Sequence, residues 1–328
     1  MKILTIIIPS YNTSKFIDKC LPTIIQAESN DLEILIINDG STDDTAEKAQ
    51  NYCIKYPAQV KMINKKNGGH GSAVNVGIEH AAGKYIRIID GDDWVESNNL
   101  RKLINVLSGC DEDIIINPYY EVDQSKNYQK KIMKNNLPNG TYEFNQIIGK
   151  IKQFAIHNTT VKSSILKNLP QKFTEHCFYD DFEFYMFIVP YIKTMMILDY
   201  PVYDYLVGQK SQSVSNSSVL KNHLMMRQIL IDSLIFYNNV QTDLEHREFM
   251  FNNLVTLCKS TFNVYLRNHY VKGAFENMRQ YDEFLMKLDS ELRNNVINNY
   301  SYISIALRNK AIFSLLGLAL NFYKKSLR

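Results

Sequence analysis

Short β-branched runs alternate with amphipathic helical segments along the first third of the chain. The runs predict strands at Ile3–Ile8, Leu32–Asn38, Val60–Asn64, Tyr85–Asp90 and Asp113–Asn117, with helices near 14–28, 42–56, 71–82 and 97–107. A parallel sheet with crossover helices produces this alternation. Ser41, with Asp44 three residues later, predicts a capping box at the start of the second helix. We therefore expect an α/β fold with a mixed, mainly parallel sheet flanked by helices.

The pattern changes twice further along the chain. Residues 118–215 are less regular and predict a β-rich insertion that completes the site built by residues 1–117. From residue 216 the apolar positions recur at helical spacing and predict helices at 217–238, 247–267, 273–288 and 302–326. We expect two domains, 1–215 and a helical 216–328, with a boundary near Ser211–Ser218.

Composition excludes several classes of protein. A chain of 328 residues that is 45% hydrophobic and 22% charged is neither disordered nor fibrous. A net charge of +3 gives no field for nucleic acid, so we expect no nucleic-acid partner. Five scattered cysteines predict a reducing compartment, and the apolar N-terminal run is interrupted by Pro9, unlike a signal peptide. We expect a cytoplasmic protein without a membrane-spanning helix.

Four predicted strands end in polar or glycine-bearing turns. These turns read PSYN, NDGS, NKKNGGHG and DGDD in chain order. In open α/β sheets ligands bind beyond the carboxyl ends of the strands, where loops expose backbone groups above a rigid scaffold. We expect the functional site at this edge of the sheet.

The turn Asp90-Gly91-Asp92-Asp93 gathers three carboxylates in four residues. Their mutual repulsion favours a hard divalent cation, Mn²⁺ or Mg²⁺, which commonly shares its site with substrate phosphates. Taken alone, the same residues are more typical of a solvated Asp-Gly turn, and the neighbouring turns are what favour the cation. Asn67-Gly68-Gly69-His70 precedes a helix, where backbone approaches a diphosphate closely, although a flexible turn has the same composition. With Ser41 as helix cap, Asp39 is expected to be free to accept from a ribose or base.

In order and place, IIIPSYN, NDGSTDDT, NGGHGSAVNVG and GKYIRIIDGDDW resemble the nucleotide-binding half of family 2 glycosyltransferases, which have the GT-A fold. The resemblance covers residues 3–117 and continues more weakly over 179–215. It implies an inverting, metal-dependent transfer from a nucleotide-sugar donor. The implied metal ligands are Asp92 and Asp90, and the implied donor contacts are Pro9, Tyr11, Asp39, Asn67, Gly68, Gly69, His70, Asp90, Gly91, Asp92 and Lys210.

The resemblance also implies a catalytic base in Tyr179-Asp180-Asp181-Phe182, where Asp181 takes the base position. A carboxylate suits this role because the acceptor hydroxyl must lose its proton in the transition state. For Asp180 we prefer an N-cap role. Val74 and Gln209-Lys210 replace arginines common in the family, and Lys66, Lys210 or Arg87 are the candidates to compensate.

These implications define the expected function. We expect a hexosyl- or N-acetylhexosaminyltransferase of bacterial cell-envelope polysaccharide synthesis, with a UDP-sugar as the favoured donor and a glycan or lipid-linked saccharide as acceptor. A catalytically silent nucleotide-sugar-binding or assembly subunit is the first alternative, because two family arginines are missing. A nucleotidyltransferase is the second alternative, although PSYNTSK is a poor triphosphate loop.

The last predicted helix carries one narrow polar stripe on an otherwise apolar surface. Polar residues recur at spacings of four and three, at Lys310, Ser314, Gly317, Asn321, Lys324 and Arg328. The pattern is typical of a helix packed in the C-terminal bundle or in a homo-oligomer interface. A peripheral helix on the inner face of the membrane ranks next, with its terminal cations among anionic headgroups.

Overall fold

The computed structural model describes residues 2–123, 128–132, 137–151, 155–208 and 222–326. Within these ranges twelve strands form two sheets. The strands are β1 (Leu4–Ser10), β2 (Leu32–Asn38), β3 (Val60–Asn64), β4 (Tyr85–Ile88), β5 (Trp94–Val95), β6 (Ile114–Ile116), β7 (Tyr119–Asp123), β8 (Tyr128–Ile132), β9 (Gly140–Glu143), β10 (Thr159–Lys162), β11 (Thr194–Ile197) and β12 (Tyr203–Leu206).

The main sheet has the order β3-β2-β1-β4-β10-β6-β11-β9, and a smaller sheet has the order β5-β12-β7-β8. Strands β1 to β4 are parallel, whereas β10 runs antiparallel between β4 and β6. Every residue of β1 and β2 is buried. A strand covered by helices on both faces reads as a continuous apolar run, which is why the sequence predicts these strands well.

Thirteen α-helices lie in the described ranges. They are α1 (Ile17–Ile25), α2 (Thr45–Lys55), α3 (His70–His80), α4 (Ser97–Gly109), α5 (Phe144–Ile147), α6 (Ser163–Lys167), α7 (Asp180–Ile188), α8 (His223–Asn239), α9 (Leu244–Arg267), α10 (Ala274–Leu288), α11 (Ser290–Asn299), α12 (Ser301–Arg308) and α13 (Lys310–Ser326). The insertion expected to be β-rich thus also contains α5, α6 and α7.

The predicted capping box at Ser41 is wrong. Helix α2 begins three residues after the predicted start, at Thr45, and Asp43 rather than Ser41 accepts the Thr45 N–H, at 3.0 Å. Ser41 Oγ instead accepts the N–H of Asn12 at 3.0 Å. The hydroxyl is therefore used to join two loops at the carboxyl edge of the sheet.

The chain divides into two compact units, residues 1–209 with 241–246, and residues 210–240 with 247–328. The expected boundary near Ser211–Ser218 lies outside the described residues. The second unit is helical, but the predicted helix 302–326 is two helices, because Asn309 is extended and its side chain accepts the Ala311 N–H at 2.7 Å. Helix α11 is not predicted from the sequence, and Asp289 caps it by accepting the Leu292 N–H at 2.9 Å.

Candidate active site

The loops after β1, β2 and β4 are joined by backbone hydrogen bonds at the carboxyl edge of the main sheet. The Asp39 N–H donates to the Ser10 carbonyl at 2.9 Å, and the Gly91 N–H donates to the Pro9 carbonyl at 3.2 Å. Pro9 is buried, whereas the Tyr11 ring is 52% exposed beside it. The structure thus brings the predicted residues of these three loops to one edge of the sheet.

Asp39 organises the glycine loop. Its buried carboxylate accepts from the Gly68 N–H at 2.9 Å, from the Gly69 N–H at 2.8 Å and from Lys65 Nζ at 2.6 Å. The expectation of a free carboxylate is therefore wrong, because these three donors occupy all but one acceptor position, which is on Oδ2. The same bonds occupy the Gly68 and Gly69 amides, which corrects the idea that these two N–H groups face a diphosphate.

Three carboxylates meet in the turn that follows β4. One oxygen each from Asp90, Asp92 and Asp93 lies within 4.8 Å of the others. Asp93 is fixed by the second sheet, because its oxygens accept from the Tyr203 hydroxyl at 2.5 Å and from the Leu206 N–H at 2.7 Å. Asp90 and Asp92 are less buried than Asp93, which leaves them as the pair that can face a ligand.

The electrostatics of this turn fit a bound cation. Burial and the nearby charge of Asp90 raise the pKa of Asp92 to about 6. Burial and the charges of Asp90 and Asp92 raise the pKa of Asp93 well above its usual value. Carboxylates held this close repel one another, and a cation among them stabilises their charged forms. Carboxylate oxygens are the ligands that Mn²⁺ and Mg²⁺ prefer. The residues present therefore fit a divalent ion at Asp90 and Asp92.

His70 bridges two carboxylates from distant parts of the sequence. Its Nε2 lies 3.0 Å from Oδ1 of Asp90, and its Nδ1 lies 2.6 Å from Oδ2 of Asp180. Burial disfavours the charged ring, but the two carboxylates outweigh burial and raise the pKa of His70 well above its usual value. The ring is thus an imidazolium that donates to both acids, whereas the sequence indicates His70 only as one of the implied donor contacts.

Asp180 is not the N-cap expected from the sequence. It is the first residue of α7, preceded by Tyr179 in a left-handed conformation with φ of 74°. Its carboxylate turns toward His70. Asp181, the next residue, is exposed in the same first turn. Burial raises the pKa of the Tyr205 hydroxyl, and the charges of Asp90, Asp93 and Asp181 raise it further. Asp181 and the acidic turn therefore both lie close enough to Tyr205 to act on its hydroxyl electrostatically.

A segment before α7 holds the glycine loop in place. The side chain of Asn75 makes two hydrogen bonds with the backbone of Phe173, at 2.9 and 3.0 Å. Glu183 accepts from the N–H and the hydroxyl of Thr174, at 2.8 and 2.7 Å. Gly69 has φ of 87°, and its missing side chain leaves room for the backbone of His176. The contacts of Asn75 and Gly69 span about a hundred residues of sequence, so no local signal predicts them, whereas Glu183 and Thr174 are nine residues apart.

The basic residues proposed to replace the missing arginines have different positions. Arg87 is fully buried, where its guanidinium donates to Thr160 Oγ1 at 2.9 Å and to the His157 carbonyl at 2.8 Å. Burial lowers the pKa of Arg87 to about 10. Arg87 is therefore excluded as a phosphate contact. Lys66 is exposed, and Lys210 lies outside the described residues.

The fold and this site together define an α/β protein with an acidic turn at the carboxyl edge of its main sheet, and sequence comparison assigns its family. The sequence model described as Glycosyl transferase family 2 matches residues 5–169. The chain belongs to this family. The expected family is thereby confirmed, as is the expectation that the chain is a glycosyltransferase at the level of the family.

The curated relatives described next match over 36% and 38% of the chain. Uncharacterized glycosyltransferase EpsJ of Bacillus subtilis (strain 168) is 36% identical over 119 residues, which are 36% of this chain and 34% of EpsJ. Glycosyltransferase GlyG of Streptococcus pneumoniae serotype 4 is 33% identical over 125 residues, which are 38% of this chain and 41% of GlyG. The matched region thus spans about a third to two fifths of these curated relatives.

Solved structures extend the likeness to nearly the whole chain. The S. aureus TarS 1-349 structure, in complex with UDP-GlcNAc, has a TM-score of 0.62 at 18% identity and covers 94% of this chain and 92% of its own. The mannosyltransferase PcManGT from Pyrobaculum calidifontis, in complex with GDP-Man and Mn²⁺, has a TM-score of 0.56 at 13% identity, with 98% and 87% covered. At these identities the likeness establishes the fold alone. The expected fold class, including the helical C-terminal region, is confirmed.

Proposed function

We propose that the chain transfers a sugar from a nucleotide-sugar to a hydroxyl of a glycan, with inversion at the anomeric carbon. The observation that carries the proposal is the Asp90–Asp92 pair at the sheet edge, joined through His70 to the helix that bears Asp181. This arrangement places a candidate diphosphate site and a candidate base on two elements linked by one side chain. Membership in family 2 supports the same chemistry.

Asp92 and Asp90 would hold the divalent ion, with Mn²⁺ or Mg²⁺ as the candidates. A bound ion supplies neutralisation of the charge that develops on the leaving diphosphate. Asp93 keeps the turn in place through its bonds to Tyr203 and Leu206. Tyr11, exposed beside buried Pro9, offers a ring for the nucleobase, and Asp39 Oδ2 keeps one acceptor position for a nucleoside donor group.

Asp181 would act as the general base. Its carboxylate takes the proton of the acceptor hydroxyl while the acceptor oxygen bonds to the anomeric carbon and the bond to the nucleoside diphosphate breaks. Attack from the face opposite the diphosphate inverts the anomeric centre in one displacement. No covalent sugar intermediate on the protein is required.

UDP-sugars are the favoured donors, and polysaccharide of the bacterial cell envelope, including lipid-linked saccharides, is the favoured acceptor class. The TarS structure supports the uridine donor because it holds UDP-GlcNAc on the same fold. The PcManGT structure, which holds GDP-Man and Mn²⁺, supports the divalent ion. The relatives EpsJ and GlyG, whose names describe them as glycosyltransferases, support a role in glycan assembly.

The proposal is tested by thermal shift against a panel of UDP-, GDP- and TDP-sugars with and without Mn²⁺, followed by an assay of donor hydrolysis with the stabilising sugar. Ligand binding to the native state raises the melting temperature by mass action. We expect one donor class to stabilise the protein only with the metal. Asp181→Asn should retain this shift and lose hydrolysis by about 10²-fold or more, the usual contribution of a general base.

Asp31→Asn is the matched control, because Asp31 is exposed at the opposite end of β2 from the site. It should hydrolyse the donor at the parent rate. Equal rates for the Asp181→Asn and Asp31→Asn proteins would contradict the role of Asp181. The absence of a metal-dependent shift with every donor would contradict the transferase proposal as a whole.

A further inference from the structure

Gly317 and Asn321 of the last helix, α13, pack against the end of helix α9. Asn321 Nδ2 donates to the Arg267 carbonyl at 2.8 Å, and Gly317 lies so close to the Leu266 carbonyl that a Cβ atom there would overlap it. Helix α9 ends at Arg267, and the last carbonyls of a helix lack partners within the helix. Gly317 and Asn321 of the polar stripe therefore lie on the face of α13 that packs on the end of α9, whereas Lys310 is exposed and pairs with Glu276.

The opposite face of α13 is apolar and exposed. Leu315 is 66% exposed, Leu318 57% and Phe322 78%, at the three- and four-residue spacings that place them on one side of the helix. Tyr323 follows, 63% exposed. A helix of a protein that remains in water normally has the reverse arrangement. Several large apolar side chains in one exposed row mark a surface that binds something apolar.

The charges around this face select the partner. In the sequence every charged residue after Glu291 is basic: Arg293, Arg308, Lys310, Lys324, Lys325 and Arg328. Arg293 pairs with Asp282 at 2.8 Å and Lys310 with Glu276 at 3.4 Å, so the cations that count toward a partner are Arg308 and the three that follow Tyr323 in the sequence. A two-fold pairing of this face with a second copy would bring two such cationic segments together, which is unfavourable. An anionic lipid surface complements both the apolar row and the cations. Among the described residues no helix is long and apolar enough to cross a bilayer, so contact would be in the plane of the surface.

We propose that α13 binds the surface of an anionic membrane. Leu315, Leu318 and Phe322 would insert below the headgroups, with Tyr323 at the headgroup level. Arg308 and the cations that follow Tyr323 in the sequence would meet lipid phosphates. The polar stripe keeps the helix attached to α9 through Asn321 and Gly317.

The test is flotation of the full chain with phosphatidylcholine vesicles that contain phosphatidylglycerol or lack it, without donor or metal. We expect the parent to float with the anionic vesicles, at least tenfold less with phosphatidylcholine alone, and less at high salt. A variant with Leu315→Glu and Phe322→Glu should stay at the bottom of the gradient. The matched control carries Ile235→Glu and Met286→Glu, two exposed apolar residues of the same unit on other helices, and should float like the parent.

Circular dichroism and thermal unfolding check that the variants fold. We expect them to fold because the replaced side chains are exposed. If the double variant does not fold, Leu318→Ser alone, which removes one exposed side chain, should still lower flotation severalfold. Equal flotation of the parent and a folded α13 variant overturns the proposal. So does a parent that is dimeric in lipid-free solution and becomes monomeric in that variant, because a second copy then covers the face. Both results leave the transferase proposal unaffected, since no catalytic step is measured.

Discussion

The Nε2 atom of His70 lies 3.0 Å from Oδ1 of Asp90, although the two residues come from different loops of the sheet edge. The other ring nitrogen holds Asp180, so the imidazolium connects the acidic turn to the start of α7. Two carboxylates held by one cation are each stabilised in the charged form. His70 is in this account a positioning residue that sets where Asp90 and α7 stand relative to one another.

Replacing His70 tests this connection. His70→Asn and Asp180→Asn should each lower kcat for donor hydrolysis by about 10-fold or more, because misplacing catalytic groups is costly even when they remain present. In the double variant the losses should not add, since both changes break one interaction. The measurement is a double-mutant cycle on kcat and KM, and additive losses would contradict the bridge.

His80→Asn is the control for this cycle. His80 lies at the other end of α3, where it contacts only the carbonyl of its own helix at Val76 among the hydrogen bonds described. We expect parent kinetics for this variant. A loss equal to that of His70→Asn would indicate a general effect of histidine loss on α3.

The contact between Asn75 and Phe173 should stabilise the glycine loop. Asn75→Ala removes two hydrogen bonds and leaves the Phe173 backbone groups buried without partners, which should cost about 1–3 kcal/mol in free energy of unfolding. Urea denaturation measures the loss. Asn51→Ala, an exposed position on α2, should change the unfolding free energy by less than about 0.5 kcal/mol.

Glu33 should make the free energy of unfolding of the first unit depend on pH. Burial opposes its charge, but hydrogen bonds from Ala82, Lys61 and Thr5 outweigh burial and lower the pKa of the carboxyl. A lowered pKa means that the folded state binds fewer protons, so this stabilisation is present above the unfolded pKa, about 4.3, and is lost as the pH falls through the folded value.

Glu33→Gln should therefore be less stable than the parent at pH 7, by about 1–3 kcal/mol. Thermal unfolding between pH 7 and pH 3 measures the difference, which should shrink as the parent carboxyl becomes protonated. A difference that is constant over this range would contradict the assigned charge state. A difference that grows toward low pH would give the opposite sign of the pKa shift.

Gly317 is predicted to be essential for the packing of α13 on α9. Gly317→Ala places a methyl group against the Leu266 carbonyl and the His269 ring, and overpacking of this kind costs about 1–3 kcal/mol. Gly109→Ala is the matched control, because nothing lies within 4 Å of a Cβ at that helical position. Calorimetric melting should show a lower Tm for Gly317→Ala alone. Equal melting temperatures would contradict the inward orientation of the polar stripe.

The sequence predicts the positions of most strands and helices but few of the long-range contacts between them. Buried parallel strands such as β1 and β2 are apolar throughout, so their positions follow from composition alone. The position of β10, antiparallel between β4 and β6, depends on a strand pairing over about seventy residues, and no local pattern encodes it.

The same distinction holds for the site. The acidic turn and the glycine loop follow strands directly and are visible as motifs. Whether Asp39 is free, what Asp180 contacts and where Arg87 points depend on partners far along the chain. From its nearest neighbours in the sequence, Asp39 is predicted to be a free acceptor, Asp180 a helix cap and Arg87 a candidate phosphate contact. Long-range hydrogen bonds give each of them another role. The polar stripe of α13 predicts a helix packed in the C-terminal bundle, but the sequence does not show that the end of α9 is the partner of Asn321.

The central claim is that Asp92 and Asp90 hold a divalent cation together with the donor diphosphate. Titration of the protein with Mn²⁺ in the presence of UDP, with free Mn²⁺ measured by electron paramagnetic resonance, tests it most directly. We predict that the parent and Asp31→Asn bind Mn²⁺ with the same affinity and that Asp92→Asn binds it at least tenfold more weakly. Equal affinity of Asp92→Asn and the parent would contradict the claim.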